Sequence, residues 1–197
     1  MDKLFIMPMI GQRIVLQCVL LSSALLFAGT AQAQFAPNAP KTPKVLQPPK
    51  GQALLLHLHG QGNQIYACQS AAGAYAWKLK APDAKLFGES GELAGRHFAG
   101  PTWEANDGSR VTAKMAASVP SPVSGSIPWL LLTAIGHDSK GIMARVQSIQ
   151  RLDTKGGVAP NAGCGAANKN DETAVPYEAD YYFYGLPRPG VLQNTSK

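Results

Sequence analysis

Three groups of residues in this chain carry side chains able to do chemistry. The first is "HFAGPTWEANDGSRV" (97–111), which packs His97, Trp103, Glu104, Asp107 and Ser109 together. As an active-site loop it would use Glu104 or Asp107 as general base and His97 as the acid partner. The second is His57 and His59. In a strand, residues two apart project from one face with about 6.5–7 Å between their Cα atoms. Two such imidazoles, with His97 as a third ligand, could hold a zinc or copper ion. The third is "YEADYYFYG" (177–185), where Glu178, Asp180, Tyr182 and Tyr184 alternate with Tyr177, Ala179, Tyr181 and Phe183. Tyrosines beside carboxylates suit glycan binding: an aromatic face stacks on C–H groups while carboxylates accept hydroxyl protons. Trp103 is a further aromatic candidate for that ligand site.

Each group also has a plain structural reading. Asp107-Gly108-Ser109 is a natural turn and Gly100-Pro101 a second breaker, so the opening segment needs no active site to explain it. Leu54, Leu56 and Leu58 face away from His57 and His59, which then sit on a solvated strand face. Alternating tyrosines and carboxylates serve cross-strand pairing equally well. Other chemistries find less support. "GQGNQI" (60–65) begins like a dinucleotide fingerprint, but Ile65 stands where the third glycine belongs and no helix follows. There is no GxSxG, HExxH or Cys–His cluster.

Positioning these residues falls to short apolar or alternating runs broken by Gly, Pro, Asn and Asp. "ALLLHLH" (53–59), "NQIYACQ" (63–69) and "AYAWKLK" (74–80) come first, with "GQGN" (60–63) and "SAAGA" (70–74) as hairpin-length connections. "RVTAKMAAS" (110–118), "IPWLLLTAIG" (127–136), "IMARVQSIQRL" (142–152) and "YEADYYFYG" follow. Val111, Ala113 and Met115 oppose Arg110, Thr112 and Lys114, and the continuously apolar "IPWLLLTAIG" fits a strand buried on both faces. Nothing after the first 33 residues shows a helical stripe with caps. The expectation is an all-β sandwich or barrel of seven to nine mostly antiparallel strands, with long Gly/Pro-rich loops.

The ends frame that domain. Lys3 and Arg13, the apolar "IVLQCVLLSSALLFA" (14–28) and "AQA" (31–33) have the order of a secretory signal, with cleavage expected after Ala33. The apolar run is short for a span, so no membrane span is expected once residues 1–33 are removed. Residues 34–50, dense in proline, read as an extended lead-in, residues 51–184 as a single β-rich domain, and residues 185–197 as a tail. Cys68 and Cys164 remain after cleavage, and in an exported chain, periplasmic or secreted, they are expected to form a disulfide. The net charge of +6 comes from scattered basic residues. It suits an anionic envelope component as partner and, lacking a concentrated basic patch, argues against nucleic acid.

Taken in order, "QIYAC" (64–68), Trp77 ahead of "APDAKLF" (81–87), "GRHFAGPTWEANDGSRV" (95–111), "IPWLLL" (127–132), "VQSIQRLDTKGGVAP" (146–160) with Cys164, and "VPYEADYYFY" (175–184) resemble the DUF3455 family of secreted proteins, a domain of unknown function found in bacteria and fungi. The resemblance spans roughly residues 45 to 184. It implies export and one compact domain, and it brings no catalytic residues. The functional expectation is therefore an exported, non-enzymatic β-domain that binds a ligand, a glycan on aromatic grounds, and that needs no cofactor. The alternative is a metal-binding protein or metal-dependent enzyme built on His57 and His59, using zinc or copper. A third reading makes the lead-in a tether to partners.

Overall fold

The structure is a computed structural model that describes residues 39–138 and 140–187. The expected signal (1–33), the first residues of the lead-in and most of the C-terminal tail lie outside the described residues. Eight antiparallel strands form one sheet: β1 (Ala53–Ala71), β2 (Ala74–Phe87), β3 (Leu93–Phe98), β4 (Thr102–Ala105), β5 (Arg110–Val119), β6 (Trp129–Asp138), β7 (Val146–Gly156) and β8 (Glu172–Gly185). Each strand pairs with the next, and β8 pairs back onto β1, so the sheet closes into a barrel. There is no α-helix among the described residues, and no described helix is long and apolar enough to cross a membrane.

Strand alternation lines the interior. Tyr177, Ala179, Tyr181 and Phe183 of β8 all point inward with Leu58, Leu86, Trp103, Val111 and Ile149. An eight-stranded ring encloses a space that side chains alone, or side chains with one small ligand, occupy. The opening segment forms two turns, as expected. β3 and β4 are joined through Gly100-Pro101, and Asp107 bonds the backbone N–H of Ser109 at 2.9 Å in the turn before β5. Met115, expected on the buried face with Val111 and Ala113, pairs with inward-facing Leu132 yet is 63% exposed, because β5 has by then run past its pairing with β4.

"GQGN" is not a turn. β1 runs unbroken through it, because these glycines answer a crowding problem. A Cβ at Gly60 would lie 2.6 Å from the Tyr181 ring, and one at Gly62 would collide with the backbone of Asp83 and Ala84. The hairpin lies further on, where Ala72 and Gly73 both adopt positive φ.

The lead-in is not a free arm. Residues 44–46 form a single 3₁₀ turn, and Leu46 is completely buried against Leu131 and Leu152 on the outside of the barrel, with Trp129 and Tyr182 packed beside them. This second core explains the double burial of the front half of "IPWLLLTAIG": Leu132 faces the interior and Leu131 faces the lead-in. Across the molecule, Cys68 and Cys164 form a disulfide with Cα atoms 5.3 Å apart, pinning the loop after β7 to the β1–β2 hairpin.

Candidate functional site

Cross-strand register builds the site. His57 of β1 faces Tyr182 of β8, and His59 faces Asp180 two pairs along, all on the outer surface. The His57 and Tyr182 rings stack with centroids 4.3 Å apart and planes 8° from parallel. Oδ1 of Asp180 takes a hydrogen bond from Nδ1 of His59 at 2.9 Å and lies 3.5 Å from Nε2 of His57, a long contact that is that nitrogen's only partner among the described residues. Glu89, in the turn between β2 and β3, approaches Nδ1 of His57 at 3.9 Å. Two candidate groups that the sequence kept apart, histidines on one side and tyrosine with carboxylates on the other, thus meet at one place.

The electrostatics of the site are negative. The Asp180 carboxylate beside His57 holds the imidazole above its ordinary pKa despite the opposing effect of burial. Burial pushes the Asp180 carboxyl up, but the two imidazoles together hold it below its ordinary value. Burial pushes Asp153 up, and the neighbouring Asp180 charge adds to this. Tyr182 is pushed up to about 12 by burial and then by Asp180, Asp153 and Glu89.

Beside His57 opens a cleft of about 480 Å³. Leu55, Leu56, Leu58 and Ala94 give it apolar walls, and Glu89, Ser90 and Glu92 give it a polar rim. The rim is held by the Ser90 hydroxyl, which donates to the Glu92 carboxylate at 2.6 Å. Nothing in the sequence distinguished Glu89, Ser90 or Glu92; they read as an ordinary turn, and only the barrel's curvature brings that turn beside His57.

The remaining predicted residues lie elsewhere. Tyr184 faces outward but is 2% exposed under the lead-in, its hydroxyl donating to Oε1 of Gln150 at 2.7 Å while Nε2 of Gln150 donates to the Leu46 carbonyl at 2.6 Å. It cannot stack on a surface ligand. Trp103 is 1% exposed inside the barrel, away from Tyr182. Glu178 reaches Nζ of Lys155 at 3.0 Å. His97 is 3% exposed and stacked on Trp103 at 4.1 Å, with Nδ1 bonded to the Thr102 carbonyl. Burial pushes its pKa down to about 3, so it is neutral and unable to act as an acid near neutrality. It sits inside while His57 and His59 sit outside, so the three histidines do not converge. No group of three or more His, Cys, Asp and Glu among the described residues is arranged to hold a metal ion. Glu104 is engaged by Arg110 and Arg96, and Asp107 by Ser109 and the Ile142 N–H, which leaves neither placed as a general base.

No curated protein and no solved structure matches this chain. A family model described as "Protein of unknown function (DUF3455)" matches residues 48–185, from just before β1 to the last residue of β8. That span contains every strand of the ring and both halves of the His57–Asp180 site, and the chain belongs to this family, DUF3455.

Proposed function

We propose that the protein is an exported, non-enzymatic binding domain whose ligand, a short glycan, occupies the cleft beside His57. The observation that carries this reading is the junction of the stacked His57–Tyr182 pair with a cleft that has apolar walls and a carboxylate rim. Carboxylates accept hydroxyl protons and apolar walls take the C–H faces of a sugar ring. Tyr182 serves from beneath: it covers one face of the His57 ring, and His57, not Tyr182, meets the ligand. The negative field of Asp180, Asp153 and Glu89 favours glycans carrying protonated amines over neutral ones. A binding role suits the histidines as well, since no described Ser, Thr or Cys side chain hydrogen-bonds His57 or His59 and the pair has no nucleophile to activate.

Calorimetric titration with a glucosamine trimer, and with its N-acetylated counterpart, tests the reading. The amine-bearing trimer is expected to bind one site, more weakly as salt rises. A Glu89→Ala/Glu92→Ala variant should lose at least about tenfold in affinity, the scale of one or two charge-assisted hydrogen bonds. If neither trimer binds, or the variant binds as well as the native chain, the glycan cleft is wrong.

A further inference from the structure

The barrel interior holds an unbalanced cation. Arg151 lies mid-β7, opposite Tyr181 of β8 and Leu130 of β6, so its side chain enters the barrel with theirs. It is partly buried, and burial holds the guanidinium below its ordinary pKa. Buried charges normally take a partner of opposite charge. Among the described residues Arg151 has no carboxylate partner: Nε and Nη2 both donate to the Pro128 carbonyl, at 3.2 and 2.8 Å. The titratable groups that act on it are Tyr181, Tyr177 and Tyr66, phenols that burial keeps protonated, so none of them supplies a negative charge.

Beside the same tyrosines lie buried hydrogen-bond donors. Gln64 is 2% exposed and its Nε2 has no partner among the described residues; the same holds for Nε1 of Trp103. Gln64 packs beside Tyr177 and Ile127 at Gly157, and Trp103 stands edge-on to Tyr181 at 5.6 Å. The Tyr177 and Tyr181 hydroxyls, 3.1 Å apart, share one hydrogen bond and leave one hydroxyl proton over. His97 presents an acceptor nitrogen, but the 9° angle between its ring and that of Trp103 keeps the indole N–H from pointing at it. Native interiors rarely leave donors unpaired, so such a set marks a place for something that accepts.

The ladder is also incomplete on one side. β3 pairs with β2 only along Ala84–Phe87, and β4 pairs with β5 only along Arg110–Thr112, with the Ala113 N–H donating to the Pro101 carbonyl just beyond. Past these points β2 and β5 are each laddered to a strand on one side only among the described residues, and this is where β2 runs beside Gln64 and Tyr66 and where β5 reaches the Leu130–Arg151 row.

We propose that this interior binds a small monocarboxylate, its two oxygens taken by Arg151 and the Gln64 amide and its apolar remainder resting against Tyr66, Tyr177 and Ile127. One negative charge balances one guanidinium, whose fork matches a carboxylate. A phosphate dianion would leave a second charge uncompensated beside the single guanidinium.

The probe is sodium benzoate, titrated into the whole chain at constant ionic strength, with inorganic phosphate alongside. The NMR signals of the Arg151 Nε–H, the Gln64 amide and the Trp103 indole report. Benzoate should shift all three along one saturable curve, and phosphate should not. Arg151→Met should abolish saturation, and Arg151→Lys, which keeps the charge without the fork, should weaken binding about tenfold. Should Arg151→Met not fold, the native titration and the lysine variant still decide. Signals that do not move or that drift without saturating, equal binding by phosphate, or undiminished binding by either variant would overturn the proposal and leave Arg151 as a strut on the Pro128 carbonyl.

Discussion

Asp180 is the residue on which the outer site turns, because its single carboxylate serves two histidines of the facing strand. The pH dependence follows from the two directions of shift. His57 is raised above 6.5, so its contribution to stability is complete below that value and lost as pH rises through its folded pKa. Asp180 is lowered below 3.8, so its contribution is present above that value and lost as pH falls through its folded pKa. The pair is therefore most stabilising between the two. Asp180→Asn should bring the His57 titration midpoint, followed by NMR, down from its raised value, since burial alone pushes an imidazole down. A midpoint that stays put would show that Asp180 does not control it. At this scale the sequence was half legible. The alternation in "YEADYYFYG" correctly divides Tyr177, Ala179, Tyr181 and Phe183 from Glu178, Asp180 and Tyr182. It could not show that Tyr184, on the outer face, is roofed over, because the roof is a segment more than a hundred residues earlier.

Among the elements, the lead-in was the least legible. Its prolines forbid a regular strand or helix, and that says nothing about whether it docks; Leu46 alone decides that, by filling the space between Leu131 and Leu152. Leu46→Ala should cost about 2–5 kcal/mol, the range for truncating a fully buried leucine, read as a lower denaturant midpoint at unchanged slope. A cost under about 0.5 kcal/mol, typical of a surface site, would return the segment to the status of a tether. β1 teaches a related lesson. A Gly-Gln-Gly between two apolar runs reads as a turn by every local rule, and here the glycines are required by the ring of Tyr181 and the backbone of β2. Crowding from neighbours in space leaves no local mark on the sequence.

For the molecule as a whole, the all-β class and the disulfide were open to sequence reasoning, because period-two alternation and a lone cysteine pair are both local signals. The choice of a closed ring over a two-sheet sandwich was not, since it rests on β1 and β8 finding each other across the full domain. The Cys68–Cys164 bridge spans 96 residues of sequence. On the chain-entropy account, closing a loop of that size contributes about 4–5 kcal/mol. A Cys68→Ser/Cys164→Ser variant should lose an amount of that order in denaturant unfolding and keep the native far-ultraviolet spectrum. A loss below about 1 kcal/mol would mean that the hairpin and the loop are already held together by their other contacts.

A ring whose first strand is stitched to its last has a history as well as a shape. While the chain is being made, His57 and His59 emerge early and Asp180 and Tyr182 come near the end. Until β8 arrives, β1 waits with one edge unpaired, and long-range closure of this kind is the slow part of folding an all-β protein. The outer site therefore does not exist in any form of the chain that lacks β8. The contacts of His57 and His59 with Tyr182 and Asp180 are the last feature of the fold to form, and their presence certifies that the whole barrel has been completed.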